Sequence, residues 1–208
     1  MSNLLIVESD NDKYFIEALI GHINVKIEID SPVCSIDEYE CLGGTGQLEK
    51  KFKSLKSQIA KNGIDKVGII FDADNEGVEA KTQLIQKKID LVFGEDSGTE
   101  FSIYILNVDG KGELETLLKV IKSKQSPMAD CLETWLQCLS AKDIGVKQKD
   151  FDKLWIQIYH RYDCCSKKDQ KQAGRKCSNE ASIKKPIYDL DKPELVELKQ
   201  FLTDLSSS

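Results

Sequence analysis

The sequence predicts an α/β fold: a parallel sheet of about four strands flanked by helices, with a helical C-terminal extension. Three observations predict it. Short apolar runs alternate with stretches of helical periodicity as far as about Lys124. Two of those runs, Asn3–Glu8 (NLLIVE) and Lys66–Phe71 (KVGIIF), are almost continuously apolar, as strands buried on both faces of a parallel sheet are. Beyond Pro127 the strand-like runs stop and only helical spacing remains.

Taken in order, Asn3–Glu8 is followed by the polar cluster Ser9-Asp10-Asn11-Asp12, in which Asp10 or Asp12 is expected to cap a helix. Phe15, Ile16, Leu19, Ile20 and Ile23 share one face of that helix. Val25, Ile27 and Ile29 then alternate with Lys26, Glu28 and Asp30, a half-buried strand that Pro32 stops. Gly43-Gly44-Thr45-Gly46 reads as a turn. After it Leu48, Phe52, Leu55 and Ile59 repeat at helical spacing up to Asn62-Gly63, a C-cap. The third strand, Lys66–Phe71, ends in Asp72-Ala73-Asp74, and Gly77 lets the backbone turn tightly into a helix carrying Val78, Leu84, Ile85 and Ile89. Glu100–Leu106 (EFSIYIL) is the fourth strand, followed by the loop Asn107–Gly112 and a helix with Leu114, Leu117, Leu118 and Ile121. Such β-α alternation with short connections is the pattern of a sheet covered on both faces. Residues 1–124 are therefore expected to form the α/β domain. Residues 125–208 form a helical extension packed on it, with helices around Leu132–Leu139, Phe151–Ile158 and Leu195–Leu205 and a basic loop at 160–185.

Composition narrows the class. The 208 residues (23.4 kDa) are 40% hydrophobic and 31% charged, as in an ordinary globular protein. No apolar run approaches the about 20 residues that cross a bilayer, and Leu4–Val7 is too short for a signal peptide. Secreted and membrane classes are excluded on this reading, and a cytoplasmic protein is expected. Seven cysteines are then read as reduced thiols, the odd count arguing against a closed disulfide framework. The net charge of −6 does not advertise a polyanion partner. The stretch His160–Lys185 departs from that average, with eight basic residues against three acidic ones. It is either a solvated loop or a contact for a nucleic-acid backbone.

In open parallel sheets, ligands gather at the carboxyl ends of the strands. The first strand ends at Glu8, with Asp12 one helical turn further, and the third ends at Asp72 and Asp74. A single Asp at such a junction serves commonly as a helix cap. Two junctions with paired acids favour a site where carboxylates share a compensating cation, for which Mg²⁺ or Mn²⁺ suits an all-oxygen donor set.

A strand ending in Glu8, and a later one ending in Asp72-Ala73-Asp74-Asn75-Glu76-Gly77, resembles the Toprim domain. That superfamily has a Glu after its first strand and an Asp-x-Asp-x-x-Gly motif after its third. It includes type IA topoisomerases, primases, recombination mediators, ribosomal-RNA maturation nucleases and OLD-type nucleases. Val7-Glu8-Ser9-Asp10-Asn11-Asp12 is also similar to the Val-Glu-Gly-x-x-Asp start of small Toprim-like proteins, with Ser9 in place of Gly. Gly110–Leu118 (GKGELETLL) is similar to their Gly-x-Leu-Glu segment and brings Glu115 near the site. The likeness covers about the first 120 residues and implies a Toprim-like Rossmannoid sheet. It also implies Mg²⁺- or Mn²⁺-dependent phosphodiester chemistry on DNA or RNA, as in a stand-alone Toprim endonuclease of defence, repair or RNA processing. On this resemblance Glu8, Asp12, Asp72, Asp74 and Glu115 hold metal, and Glu8 alternatively serves as general acid or base; Lys111 either steadies transition-state charge or is a solvated loop lysine.

The chain departs from the larger Toprim enzymes. It has no room for a topoisomerase gate or a primase zinc module, and Gly43–Gly46 lacks the Gly-Lys-Ser/Thr ending of an ATPase phosphate loop. A separate ATPase partner or a homodimer is therefore in view, and so is a non-catalytic Toprim-fold binding module. Phe71-Asp72-Ala73-Asp74 also resembles the nucleophile motif of haloacid-dehalogenase-like phosphatases, though on the third strand rather than the first. A response-regulator receiver would need a fifth strand. His160, Cys164, Cys165 and Cys177 match no common zinc spacing, Cys131 and Cys138 read as core thiols on one helical face, and a C-terminal cap or partial burial explains His22.

Overall fold

The computed structural model describes residues 2–34, 44–94 and 98–207. Four strands, β1 (Ser2–Val7), β2 (Glu28–Ile29), β3 (Ile64–Asp72) and β4 (Glu100–Leu106), form one sheet in the order β2-β1-β3-β4, every neighbouring pair parallel. The connections are α1 (Asp10–Ile23), α2 (Gly44–Asn62) and α3 (Val78–Phe93), and α4 (Leu114–Val120) follows β4. The α/β class with a parallel four-stranded sheet is thus as the periodicity predicts.

Side-chain alternation along β1 distributes the core. Leu5 and Val7 enter one buried cluster with Phe15, Ile16 and Leu19 of α1, while Leu4 and Ile6 enter a second with Leu48, Phe52 and Leu55 of α2 and Ile85 and Ile89 of α3. Each such side chain, fully buried, is worth about 1.5–3 kcal/mol. The first cluster continues through α5 (Pro127–Ser140), α6 (Gln148–Ile158) and α10 (Val196–Ser206), so residues before and after 124 share one apolar core. Gly68 on β3 lets α10 approach, because a Cβ there would run into Leu205, Leu5 and Phe201.

Several local expectations are corrected. Ser9, not Asp10 or Asp12, is the N-cap of α1; its Oγ accepts from the Asp12 amide, and Asp12 returns the bond to the Ser9 amide at 2.8 Å as a capping box. The second strand shrinks to Glu28–Ile29, although Val25, Ile27 and Ile29 do alternate half-buried with exposed neighbours. Gly44, Thr45 and Gly46 begin α2 rather than a turn, and Gly43 lies outside the described residues.

The stretch 160–185 is not a loop. It runs through a π-helical turn (Tyr159–Asp163), α7 (Lys167–Gln170), α8 (Ala173–Lys176) and α9 (Asn179–Ile183), with Ser166 and Ser178 capping α7 and α9. The cysteines are not all reduced: that folding brings the Cα atoms of Cys165 and Cys177 to 5.9 Å and the two are bonded, and Cys34 is disulfide-bonded as well. Cys131 and Cys138 are exposed rather than core thiols, because α5 turns Ala129, Leu132 and Leu136 inward instead. His22 stands in the last turn of α1, where its Nε2 lies 2.8 Å from Asp191 Oδ1. No helix among the described residues is long and apolar enough to cross a membrane.

Candidate functional site

The sheet order places a topological switch at β1 and β3: the chain leaves β1 toward β2 on one side and leaves β3 toward β4 on the other. Connections diverge there and open a crevice at the strand ends. Glu8 directly follows β1, and Asp72 is the last residue of β3. The two are tied together, since the Glu8 carboxylate faces the Asp72 amide at 3.5 Å.

The remaining acids arrive through backbone pairing. Asp74 adopts left-handed φ (+50°) and exchanges two backbone hydrogen bonds with Gly112, at 3.0 and 2.9 Å. Gly112 itself has φ +99°, a conformation natural to glycine. This stitch carries the start of α4 to the end of β3, so Glu113, at the N-cap, and Glu115, in the first turn, face Asp72 and Asp74. Asp12 comes from the first turn of α1. Glu8, Asp12, Asp72, Asp74, Glu113 and Glu115 together line a cavity of about 280 Å³.

Burial and crowding weaken the charge on these groups. The Asp12 carboxyl is pushed up to about 7, first by burial and then, against the Ser9 hydrogen bonds, by Glu8. Asp72 is raised well above the usual range by burial and by Asp12 and Glu8. Glu8 is raised by burial and by Asp74, and Glu115 mainly by burial. Acids that resist ionisation together signal a site short of positive charge.

Three lysines partly supply it, and none of them stands out in the sequence. Lys81, on the first turns of α3, reaches Asp74 at 2.6 Å and Glu76 at 3.2 Å. Burial lowers its ammonium pKa, but the Asp74 contact outweighs this and leaves it raised. Lys149 and Lys153, both on α6, meet the two oxygens of Glu113 at 3.5 and 3.1 Å. α6 is held for this by Asp152, which accepts from Thr116, Lys119 and Gln148 while its own side chain is only 3% exposed. Lys149 and Lys153 come from distant sequence, so the chain itself displays only their i,i+4 spacing.

The structure brings Glu8, Asp12, Asp72, Asp74 and Glu115 to one cavity and adds Glu113. Lys111 is not among them. The loop between β4 and α4 doubles back through a Val108–Lys111 bridge, with Asp109 and Gly110 at positive φ, and Lys111 is exposed and does not line the cavity. The zinc cluster does not form either: His160 is buried between Asn179 and Tyr188, which holds its pKa down at about 4 through burial, and Cys165 is bonded to Cys177.

A family model described as "Protein of unknown function (DUF3226)" matches residues 2–207. The chain belongs to the DUF3226 family. A search among curated proteins finds no match, and neither does a search among solved structures. The cavity's chemistry thus has to be argued for this DUF3226 chain from its own residues. Its all-carboxylate donor set suits a hard divalent cation such as Mg²⁺ or Mn²⁺. Among the described residues, however, no three His, Cys, Asp or Glu side chains are arranged to hold an ion as they stand. The donors fit in kind. Asp74 and Glu113 are engaged by lysines, so an ion must draw side chains away from them.

Proposed function

We propose that the chain carries out divalent-cation-dependent phosphodiester chemistry on nucleic acid, DNA or RNA, with endonucleolytic hydrolysis as the reaction. One observation carries this: six carboxylates, from the ends of β1 and β3 and the starts of α1 and α4, meet at the switch point of a parallel sheet around one small polar cavity. The Toprim resemblance of Glu8 and of Asp72-Ala73-Asp74 supports the same reading.

Asp12, Asp72 and Glu115, with Glu8 and Asp74 beside them, would hold Mg²⁺ or Mn²⁺. When bound, such an ion supplies positive charge for a phosphoryl oxygen and offsets the acids' mutual repulsion. Glu8 stands at the cavity wall, and burial raises its carboxyl pKa and so its basicity, which suits it to take a proton from an attacking water.

The basic segment provides a backbone contact beside the cavity. Asn179 of α9 donates to Asn11, a cavity residue, at 3.3 Å, and so ties that segment to the site. Lys167, Lys168, Lys171, Arg175 and Lys176 are exposed, and among the described residues they form no ion pairs.

The test is incubation of plasmid DNA and of structured RNA with the protein in Mg²⁺, in Mn²⁺ and in chelator. Cleavage by the wild type in metal alone, lost in Glu8→Gln and in Asp72→Asn, is the expected result. Binding of metal without cleavage of either polymer would point to a required ATPase partner or to a phosphomonoester substrate. Cleavage in chelator would overturn the proposal.

A further inference from the structure

The acidic cavity has a second, basic wall. Lys149 and Lys153 stand four residues apart on α6, so both ammonium groups project from one face of a helix anchored by the buried Phe151, Asp152 and Trp155. Both side chains are 46% exposed and both line the cavity. Their sole ion-pair partner among the described residues is one carboxylate, Glu113, which presents Oε1 to Lys149 and Oε2 to Lys153. Two cations therefore share one anion whose oxygens bridge them, and Glu113 is itself only 7% exposed.

We infer that Lys149 and Lys153 form an anion subsite for one phosphate group of the substrate, and that Glu113 occupies this subsite in the free protein as an internal stand-in. A phosphate presents two oxygens to paired donors much as the Glu113 carboxylate does. A phosphodiester carries the same single negative charge as that carboxylate, so it can take the carboxylate's place between the two ammonium groups. Entry of the phosphate displaces Glu113 from the lysines and frees its carboxylate toward the other acids of the cavity. The inference rests on the phosphodiester reading above and extends it, because it assigns substrate holding to residues well beyond the Toprim-like portion.

The probe is the dinucleotide thymidylyl-(3′→5′)-thymidine, titrated calorimetrically into the full chain in Ca²⁺, with Mn²⁺ affinity and the far-ultraviolet spectrum recorded for every variant. Lys149→Ala/Lys153→Ala should bind the dinucleotide at least about tenfold more weakly, the scale expected when charge-assisted hydrogen bonds are removed. Lys149→Arg/Lys153→Arg should retain most of the affinity. Glu113→Gln should bind it several-fold more tightly, because the competing carboxylate is gone. A role confined to holding α6 in place would not produce that gain. Unchanged dinucleotide affinity in the double alanine variant, or weaker binding in Glu113→Gln with Mn²⁺ affinity intact, would overturn the inference. Absence of dinucleotide binding by the wild type would overturn it too. Failure of the phosphodiester reading itself would show differently, as absence of Mn²⁺ binding in the wild type.

Discussion

Lys81 Nζ lies 2.6 Å from Asp74 Oδ2, so a lysine one turn into α3 holds the acid that closes the Asp72-Ala73-Asp74 run. The same ammonium meets Glu76 at 3.2 Å, and its side chain is only 6% exposed. Lys81→Met keeps the apolar stem and removes the charge. Stability should fall by about 1–3 kcal/mol, the cost of a buried polar contact left half-made. Mn²⁺ affinity should rise, because a resident cation no longer competes for Asp74. Urea unfolding and calorimetry read the two effects separately. Weaker Mn²⁺ binding would mean that Lys81 aims Asp74 rather than competing for it.

Asp12 predicts a pH dependence. Its carboxyl titrates at about 7 in the fold against 3.8 when unperturbed. Between those values the folded chain keeps a proton that the unfolded chain has released. Its stabilising effect is therefore full below about pH 4 and is lost as pH rises toward 7, on the order of a few kcal/mol in all. In chelator, the wild type should lose more stability from pH 5 to pH 8 than Asp12→Asn does. Asn at this position can still accept from the Ser9 amide and preserve the cap. Equal pH profiles would contradict the prediction. Mn²⁺ should also raise the Tm more at pH 8, above the Asp12 value of about 7, than at pH 5.

Asp152 joins α6 to α4 through Thr116 at 3.0 Å and Lys119 at 2.8 Å, and accepts from Gln148 of its own helix at 3.0 Å. Asp152→Ala strands a largely buried lysine and should cost about 3–5 kcal/mol, with a smaller effect for Asp152→Asn. Denaturant midpoints check this. A change under about 1 kcal/mol in the alanine variant, the size of an ordinary surface pair, would show the network to be incidental.

Most of the sheet and the acids at its mouth are legible in the sequence, because both are local. Buried strands such as Lys66–Phe71 announce themselves by composition, and Glu8 and Asp72 sit where those strands end. What is not legible depends on tertiary contact. Lys149 and Lys153 become part of the site only when α6 packs across α4, and nothing in their own neighbourhood marks them. Glu113 lies inside the Gly110–Leu118 segment, where the family resemblance points to Glu115 alone. The helices within 160–185 are partly foreseeable: Ser166 three residues before Asp169 is a helix-start signal, and Ser166 Oγ does accept from the Asp169 amide at 3.1 Å. Lys111 does not line the cavity, and the tight turn before it, with Asp109 and Gly110 at positive φ, is set by backbone conformation that residue spacing does not reveal.

The basic segment makes a prediction of its own. Replacing Lys167, Lys168, Lys171, Arg175 and Lys176 by Ala should flatten the dependence of duplex affinity on salt, by about 0.9 in slope for each phosphate that is no longer neutralised. Fluorescence anisotropy at several salt concentrations measures the slope. An unchanged slope would return these residues to the role of a solvated surface.

On the reading proposed above, the carboxylates at the ends of β1 and β3 form a divalent-cation site. Calorimetric titration of Mg²⁺ and Mn²⁺ into the wild type and into Asp72→Asn/Asp74→Asn tests it most directly. Saturable binding by the wild type at millimolar metal or below, abolished in the double variant, is the predicted result. If the wild type binds neither ion at millimolar concentration, the acids serve as caps and loop residues, and the metal-dependent account is contradicted.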